Sequence, residues 1–352
     1  MKEHAIIPIF IPHRGCPHDC VFCNQKAITR TLPGVTPAEA EGIIETWLST
    51  LEGRGISRIE AAFYGGSFTG LPMEEQAGLL AVAHSYLQRQ RIQSIRLSTR
   101  PDFISEPVLE QLRRYGVGTV ELGVQSFDEE VLAASRRGHS ARQVEEACGM
   151  IQSFGFRLGI QLMIGLPEDS HEKCLESARR AVRLRPDDAR LYPTIVLEGT
   201  ELARLWRQGQ YQPLSPQEAI RTTKDMYRIL QDAGVNIIRV GLKSSDLVGK
   251  DDQILVHPCP PAFRQLVEGE IAREDLEAQL EKLAQAGGTA GRDRPGSSFP
   301  SAAVFSCHPD DFSSMVGNGK RNRRYFAEKY PRLSLRFAVD ESLPAMTFRV
   351  SI

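Results

Sequence analysis

Apolar and polar positions along this chain alternate between two rhythms. A β-branched run at residues 5–11 gives way to a helical pattern from residue 37, where Ile43, Ile44, Trp47, Leu48 and Leu51 recur at spacings of three and four. That spacing makes one apolar stripe on a helix. The same couple returns at 59–64 with 73–91, at 95–99 with 105–116, at 119–124 with 140–155, and at 158–164 with 172–184. A sixth strand-like run covers 189–196 and contains Pro193. Local punctuation fits these limits. Thr36 with Glu39 and Ser140 with Gln143 form capping boxes, Pro37 takes a first helical position, and Gly116 and Gly155 take the left-handed stop. A βα unit needs roughly 30 residues or more, and the strand-to-strand period fits it. Six successive units predict an α/β fold, a partial (β/α)6 TIM-type barrel with a parallel sheet.

After residue 196 the rhythm changes. A short helix at 201–207 and a longer one, capped by Ser215-Pro216-Gln217-Glu218 and ended by Gly234, lead to a seventh strand-like run at 235–242. The domain boundaries read from this are 1–243 for the barrel and 244–352 for a small mixed appendage. The appendage holds an acidic amphipathic helix at 273–286 and a loop at 287–300 rich in Gly, Ser, Pro and charge. A basic cluster, Lys320-Arg321-Asn322-Arg323-Arg324-Tyr325, and an apolar terminal strand at 345–352 follow.

Composition narrows the function classes. The 352 residues are 41% hydrophobic and 25% charged with a formal net charge of −1, so the chain has a sizeable core and no global field drawing it to nucleic acid or membrane. Such contact needs a local patch, and the basic cluster at 320–324 is the candidate for an RNA backbone, weighed evenly against a solvated helix face. No apolar run approaches a membrane span, and the N-terminus lacks signal-peptide architecture. Seven cysteines, three of them clustered, argue against a disulfide framework and for a reducing, cytoplasmic setting.

The clustered cysteines are Cys16, Cys20 and Cys23, spaced C-x3-C-x2-C directly after the first strand. A structural zinc site wants a fourth soft ligand nearby, and the next thiol is Cys148. Three thiolates without a fourth suit a [4Fe–4S] cluster with one iron open to a small molecule. The other unusual residues also follow strands: Gly65 and Gly66 the second, Ser98, Thr99 and Arg100 the third, Gln125 the fourth, Gly165-Leu166-Pro167 the fifth. In a parallel barrel those ends share one functional rim. Cys148 and Cys174 read as buried, inert thiols. His257, Cys259, Cys307 and His308 have ligand chemistry without the spacing usual in a zinc site.

The cysteine spacing resembles that of the radical S-adenosylmethionine (SAM) enzymes. The resemblance implies a [4Fe–4S] cluster on Cys16, Cys20 and Cys23, SAM as second cofactor, and reductive cleavage of SAM to a hydrogen-abstracting 5′-deoxyadenosyl radical. It implies SAM contacts from Gly65 and Gly66 through the backbone, from Ser98 and Arg100 to carboxylate and ribose, and from Gln125 near the nucleoside. Phe22 would shield the cluster, with Asn24 and His13 beside it. A reducing electron donor is then a necessary partner.

Further segments resemble the elongator catalytic subunit, a tRNA-uridine-modifying family. They are Val120-Glu121-Leu122-Gly123-Val124-Gln125-Ser126, Arg137-Gly138-His139, Met163-Ile164-Gly165-Leu166-Pro167, and the run from Leu191-Tyr192-Pro193-Thr194 through Glu198-Gly199-Thr200-Glu201-Leu202. That family spaces its first two cysteines more widely and carries an acetyltransferase domain. Here the residues after 242 show no phosphate-cradling glycine loop. The resemblance is therefore to a stand-alone, bacterial-type, elongator-like radical SAM protein acting on tRNA. Small-molecule chemistry like that of the oxygen-independent coproporphyrinogen oxidases, and a cluster-binding regulatory module, stand as alternatives. Arg100 and Arg137 are further RNA contacts if they prove exposed.

Overall fold

The computed structural model describes residues 4–11, 16–23, 34–241, 254–288 (backbone alone at 286–288) and 300–352. Two compact units divide between Pro258 and Cys259.

In the first unit, strands β1 (His4–Phe10), β2 (Arg58–Tyr64), β3 (Ser94–Thr99), β4 (Val117–Gln125), β5 (Arg157–Ile164) and β6 (Asp188–Pro193) pair in sequence order, all parallel. β7 (Val196–Leu197) leaves this sheet, and β8 (Asn236–Val240) completes it as a seventh parallel strand beside β6. β7 pairs antiparallel with β9 (Ile254–Val256), so the sixth strand-like run is two strands, the main one closing at Pro193. A proline cannot donate to a ladder, and here it marks where the strand ends.

The sheet is curled into a partial barrel. Neighbouring strands lie about 4.8 Å apart, so β2 and β6 would stand roughly 19 Å apart in a flat sheet. Yet Arg190 on β6 donates to the Tyr64 hydroxyl on β2 at 2.7 Å. Only a curved sheet brings those side chains together.

Helices return the chain between strands as the caps foretell. Both hydrogen bonds of the capping boxes form at Thr36 with Glu39, Ser140 with Gln143, and Ser215 with Glu218. The helix Pro37–Leu51 buries Ala40, Ile44 and Leu48, while Trp47 stays 39% exposed. Its buried stripe is narrower than the sequence pattern suggests. Gly116, Gly155 and Gly234 all adopt positive φ after their helices.

The second unit has a long helix, Phe263–Gly288, and a three-stranded sheet. In that sheet β10 (Ala302–Cys307) is central, with β11 (Ser334–Val339) parallel on one side and β12 (Phe348–Ser351) antiparallel on the other. The sequence pattern marks neither β10 nor β11, and the helix begins ten residues before the sequence pattern places it. Phe305 and Phe326, both fully buried, stack edge-to-face at 4.8 Å in its core. No helix among the described residues is long and apolar enough to cross a membrane.

Candidate active site

All strands of a parallel sheet end on the same side, so the loops after β1 to β5 meet at one mouth. Ile11 continues the ladder past β1, its N–H donating to Tyr64 O at 2.7 Å, and delivers the chain to the cysteine loop. Gly65 sits beside this exit. Its φ is +97°, and a Cβ there would lie 3.2 Å from Ile11 O and 3.3 Å from Phe10 Cδ1. A side chain at this position would push against the strand that carries the cysteines. Gly66 is half-buried in the same turn.

Cys20 is buried, and Cys16 and Cys23 are partly exposed. The Cys23 N–H donates to Cys20 O at 3.0 Å, closing a tight turn. Flanking bonds anchor that turn: Val21 N–H donates to Ser135 O at 3.2 Å, and Leu202 N–H to Val21 O at 2.8 Å. Val21 packs with Val196, Leu202, Ala203 and Tyr211, and Phe22 covers this cluster's edge. Among the described residues no three His, Cys, Asp or Glu side chains converge on a single-ion site. A cubane held through three different irons needs no such convergence.

Two arginines approach the Cys20 sulfur. Arg137 Nη1 lies 3.3 Å and Arg100 Nη1 3.7 Å from Sγ. Arg100 is 4% and Arg137 5% exposed, so neither is the rim contact for RNA that the sequence offered. Arg137 also donates to Gly123 O at 2.6 Å and lies over the Phe22 ring at 6.0 Å. Arg100 reaches the Asp102 carboxylate at 2.9 Å and the Arg137 carbonyl. Burial pushes Asp102 up, but the Arg100 guanidinium outweighs it and holds the carboxyl below its usual range. Asp102 in turn meets His18 Nε2, from the cysteine loop, at 2.8 Å. Burial pulls Arg137 below the usual guanidinium range, with Cys20 opposing.

This mouth fits an anionic group. Two buried cations face one thiol, and the buried Arg137 Nε–H donor has no hydrogen-bond partner. Such orphaned polar atoms are expensive unless something fills them. Gly138, at φ +71°, lets the cysteine loop pass: a Cβ there would lie 2.3 Å from His18 Nδ1.

Gln125 ends β4 in the left-handed region at φ +71°, next to a register shift in the β4–β5 pairing. Its buried side chain accepts from Gln161 Nε2 at 3.1 Å, across the sheet. Ser98 is half-buried in register with Glu121, on the face that Arg96 shares by strand alternation. Gly165, at φ +77°, donates to Asp169 Oδ2 at 2.9 Å and accepts from the Tyr211 hydroxyl at 2.6 Å, which fixes the fifth rim turn. Asn24 and His13 lie outside the described residues. Cys148 and Cys174 are buried as expected, and burial pushes the Cys148 thiol up to about 12.

His139 reports on the site's dryness. Burial and then Arg137 lower it to about 3 from an ordinary value of 6.5. The folded protein therefore keeps it neutral while the unfolded chain takes up a proton below about pH 6.5. Its contribution to stability is full above that value and is lost as pH falls toward 3. Urea titrations of a His139→Gln variant are expected to show a shallower loss across that window, by up to about 1.4 kcal/mol per pH unit. Parallel curves for the two proteins would contradict this.

The barrel's interior carries charges that the hydrophobic pattern does not assign to the core. Arg96 on β3 bridges Glu60 at 3.2 Å, Glu121 at 2.8 Å and Asp188 at 2.9 Å. Arg190 meets Glu121 at 2.6 Å, donates to Tyr192 at 3.2 Å and lies over the Tyr64 ring at 4.9 Å. Burial pulls Arg96 and Arg190 down, but Glu121 and the surrounding groups more than reverse it. Burial, then Glu121, raise Tyr64. The floor below the mouth is thus ionic and fully engaged, not aliphatic. A signal was present: Glu60, Arg96, Glu121 and Asp188 are charges inside strands otherwise reading as buried.

Comparison with known proteins agrees with this geometry. The Radical SAM superfamily profile matches residues 10–181, and the Radical_SAM C-terminal domain profile matches 186–273. A "tRNA uridine(34) acetyltransferase" of Methanocaldococcus infernus is 27% identical over 291 residues, 69% of this chain and 54% of that protein. The Homo sapiens "Elongator complex protein 3" is 26% identical over 289 residues, 67% of this chain and 53% of that protein. The chain thus spans about half the length of these relatives. The solved archaeal Elp3 of Methanocaldococcus infernus, with its N-terminus deleted, superposes with a TM-score of 0.54 at 23% identity, covering 70% of this chain and 61% of that one. With adjoining family profiles over most of its length and an elongator-like set of relatives, this chain belongs to the radical SAM superfamily of enzymes.

Proposed function

We propose that Cys16, Cys20 and Cys23 hold a [4Fe–4S] cluster, that SAM binds beside it, and that the reaction modifies tRNA. The observation that carries the cofactor reading is the buried Cys20 thiol under two guanidiniums at the mouth of the sheet. Bound there, cluster and SAM would supply a one-electron reductive cleavage, giving methionine and a 5′-deoxyadenosyl radical that takes a hydrogen atom from substrate.

The chain's own groups define what happens around that chemistry. Gly65 and Gly66 offer backbone to the methionine part without a side chain in the way. Ser98 and Gln125 line the interior toward the nucleoside. Arg100, through Asp102 and His18, ties the cysteine loop to the third strand's end and adds positive charge for a carboxylate or an anionic cluster. The ionic floor excludes water by having its donors already engaged.

The tRNA reading rests on relatives named for tRNA uridine 34 and for the elongator complex. Its test is mass spectrometry of tRNA nucleosides from cells with and without the protein. One modified nucleoside is expected to disappear and to return with the wild-type chain but not with Cys20→Ala. An unchanged nucleoside profile would overturn the RNA reading and favour a small-molecule substrate.

A further inference from the structure

The charges of the second unit are sorted in a way that its folding does not require. The helix Arg321–Lys329 turns one stripe, Arg321, Tyr325 and Lys329, onto the acidic side of the helix Phe263–Gly288. Arg321 meets Glu270 at 3.9 Å, the Tyr325 hydroxyl donates to Glu277 at 2.8 Å, and Lys329 pairs with Glu277 and, at 3.8 Å, with Glu281. Those cations are accounted for by packing. Lys320, Arg323 and Arg324 are exposed on the other side, and no carboxylate among the described residues pairs with them.

Their presentation is built. Asn322, 1% exposed between them, donates to Gly269 O at 2.7 Å, Met315 O at 3.2 Å and Ser314 O at 3.3 Å. This pins the turn to two other helices. Lys320 holds the left-handed conformation at φ 63°, directly after Gly319 at φ 58° and near Gly317 at φ 80°. A lysine is a costly residue there, and glycine would be free of that cost. Three cations also crowd the first turn of a helix, where the dipole favours negative charge. A fixed, strained, dipole-opposed set of unpaired cations has no stabilising role, on a chain whose net charge is only −1.

We infer that Lys320, Arg323 and Arg324 form a docking face for the phosphate backbone of the RNA substrate. This rests on the tRNA reading above and adds a second contact region outside the barrel. Such a face reads charge and spacing rather than bases, so it sets affinity and leaves the choice of nucleoside to the barrel.

The test is fluorescence anisotropy of a labelled, unmodified tRNA transcript with the full chain, between about 50 and 200 mM KCl. Each phosphate contact contributes roughly 0.7–0.9 to the slope of log K against log salt. The triple variant Lys320→Glu/Arg323→Glu/Arg324→Glu is expected to flatten that slope by about 2–3 and weaken binding at least ~10-fold. Arg323→Lys/Arg324→Lys should keep both, since phosphate accepts either cation. Unchanged thermal melting shows that the variants fold. A wild-type slope in the triple variant overturns the docking face and leaves the RNA reading standing. An equal drop from Arg142→Glu, an exposed cation of the barrel, overturns the local assignment. Failure of the wild-type chain to bind tRNA overturns the RNA reading itself. Loss of binding to phosphatidylserine vesicles with tRNA affinity intact assigns the face to membranes and overturns it as an RNA contact.

Discussion

Replacing Arg96 by methionine is expected to cost about 3–5 kcal/mol of folding stability, the largest loss from any single side chain described above. Arg96 is 4% exposed and bridges carboxylates from three strands, Glu60, Glu121 and Asp188. Removing it leaves those carboxylates dry with too few partners. Desolvation then outweighs whatever methionine gains by packing. Arg190 cannot compensate, because Glu121, Tyr64 and Tyr192 already engage it. The exposed pair Arg142–Glu146, with Arg142 86% exposed, is the internal standard: Arg142→Met should cost no more than about 0.5 kcal/mol. Urea denaturation of the two variants checks the contrast. Similar midpoints would mean that the barrel's ionic floor is not the closed network its geometry describes.

Gly138→Ala is expected to damage the proposed cluster site more than the fold. Two costs combine at this position. The left-handed backbone at φ +71° charges a non-glycine residue about 1–2 kcal/mol. The added methyl would lie 2.3 Å from His18 Nδ1, so His18 must leave. His18 tethers the cysteine loop to Asp102 at 2.8 Å, and Asp102 holds Arg100 against the site. Displacement therefore runs through the loop that carries Cys16, Cys20 and Cys23. After anaerobic reconstitution, iron and sulfide per chain should fall several-fold while the helical signal in circular dichroism is kept. A Gly155→Ala control, also at positive φ but with nothing within 4 Å of its Cβ, should lose comparable stability and retain its iron. Equal iron in both variants would separate His18 from the site.

The parts of the fold that are local were legible in the chain. Capping boxes at Thr36, Ser140 and Ser215 and stops at Gly116 and Gly155 depend on bonds within a few residues. Each of them appears. The rim was legible because a parallel barrel fixes which strand ends face the site. What was hidden depends on closure. Glu60, Arg96, Glu121, Asp188 and Arg190 come from separate strands, and only the curl of the sheet makes them neighbours. The same holds for Arg137 and Arg100. Sequence placed them on the rim but could not show that they turn inward onto Cys20 instead of outward to RNA. In the second unit, β10 lies between β11 and β12, both distant in sequence, and short strands of that kind carry little local signal. The basic cluster shows the same division: its composition was readable, but which cations pair with Glu270 and Glu277 was not.

Reductive cleavage of SAM by the anaerobically reconstituted protein tests the central claim most directly. With a strong one-electron reductant, the wild-type chain should release 5′-deoxyadenosine over many minutes, and Cys20→Ala should release none above the protein-free background. Cys148→Ala, which removes a thiol remote from the cysteine loop in sequence, should match the wild type. Equal 5′-deoxyadenosine from wild type and Cys20→Ala, or none from either with iron and sulfide fully loaded, would contradict the account.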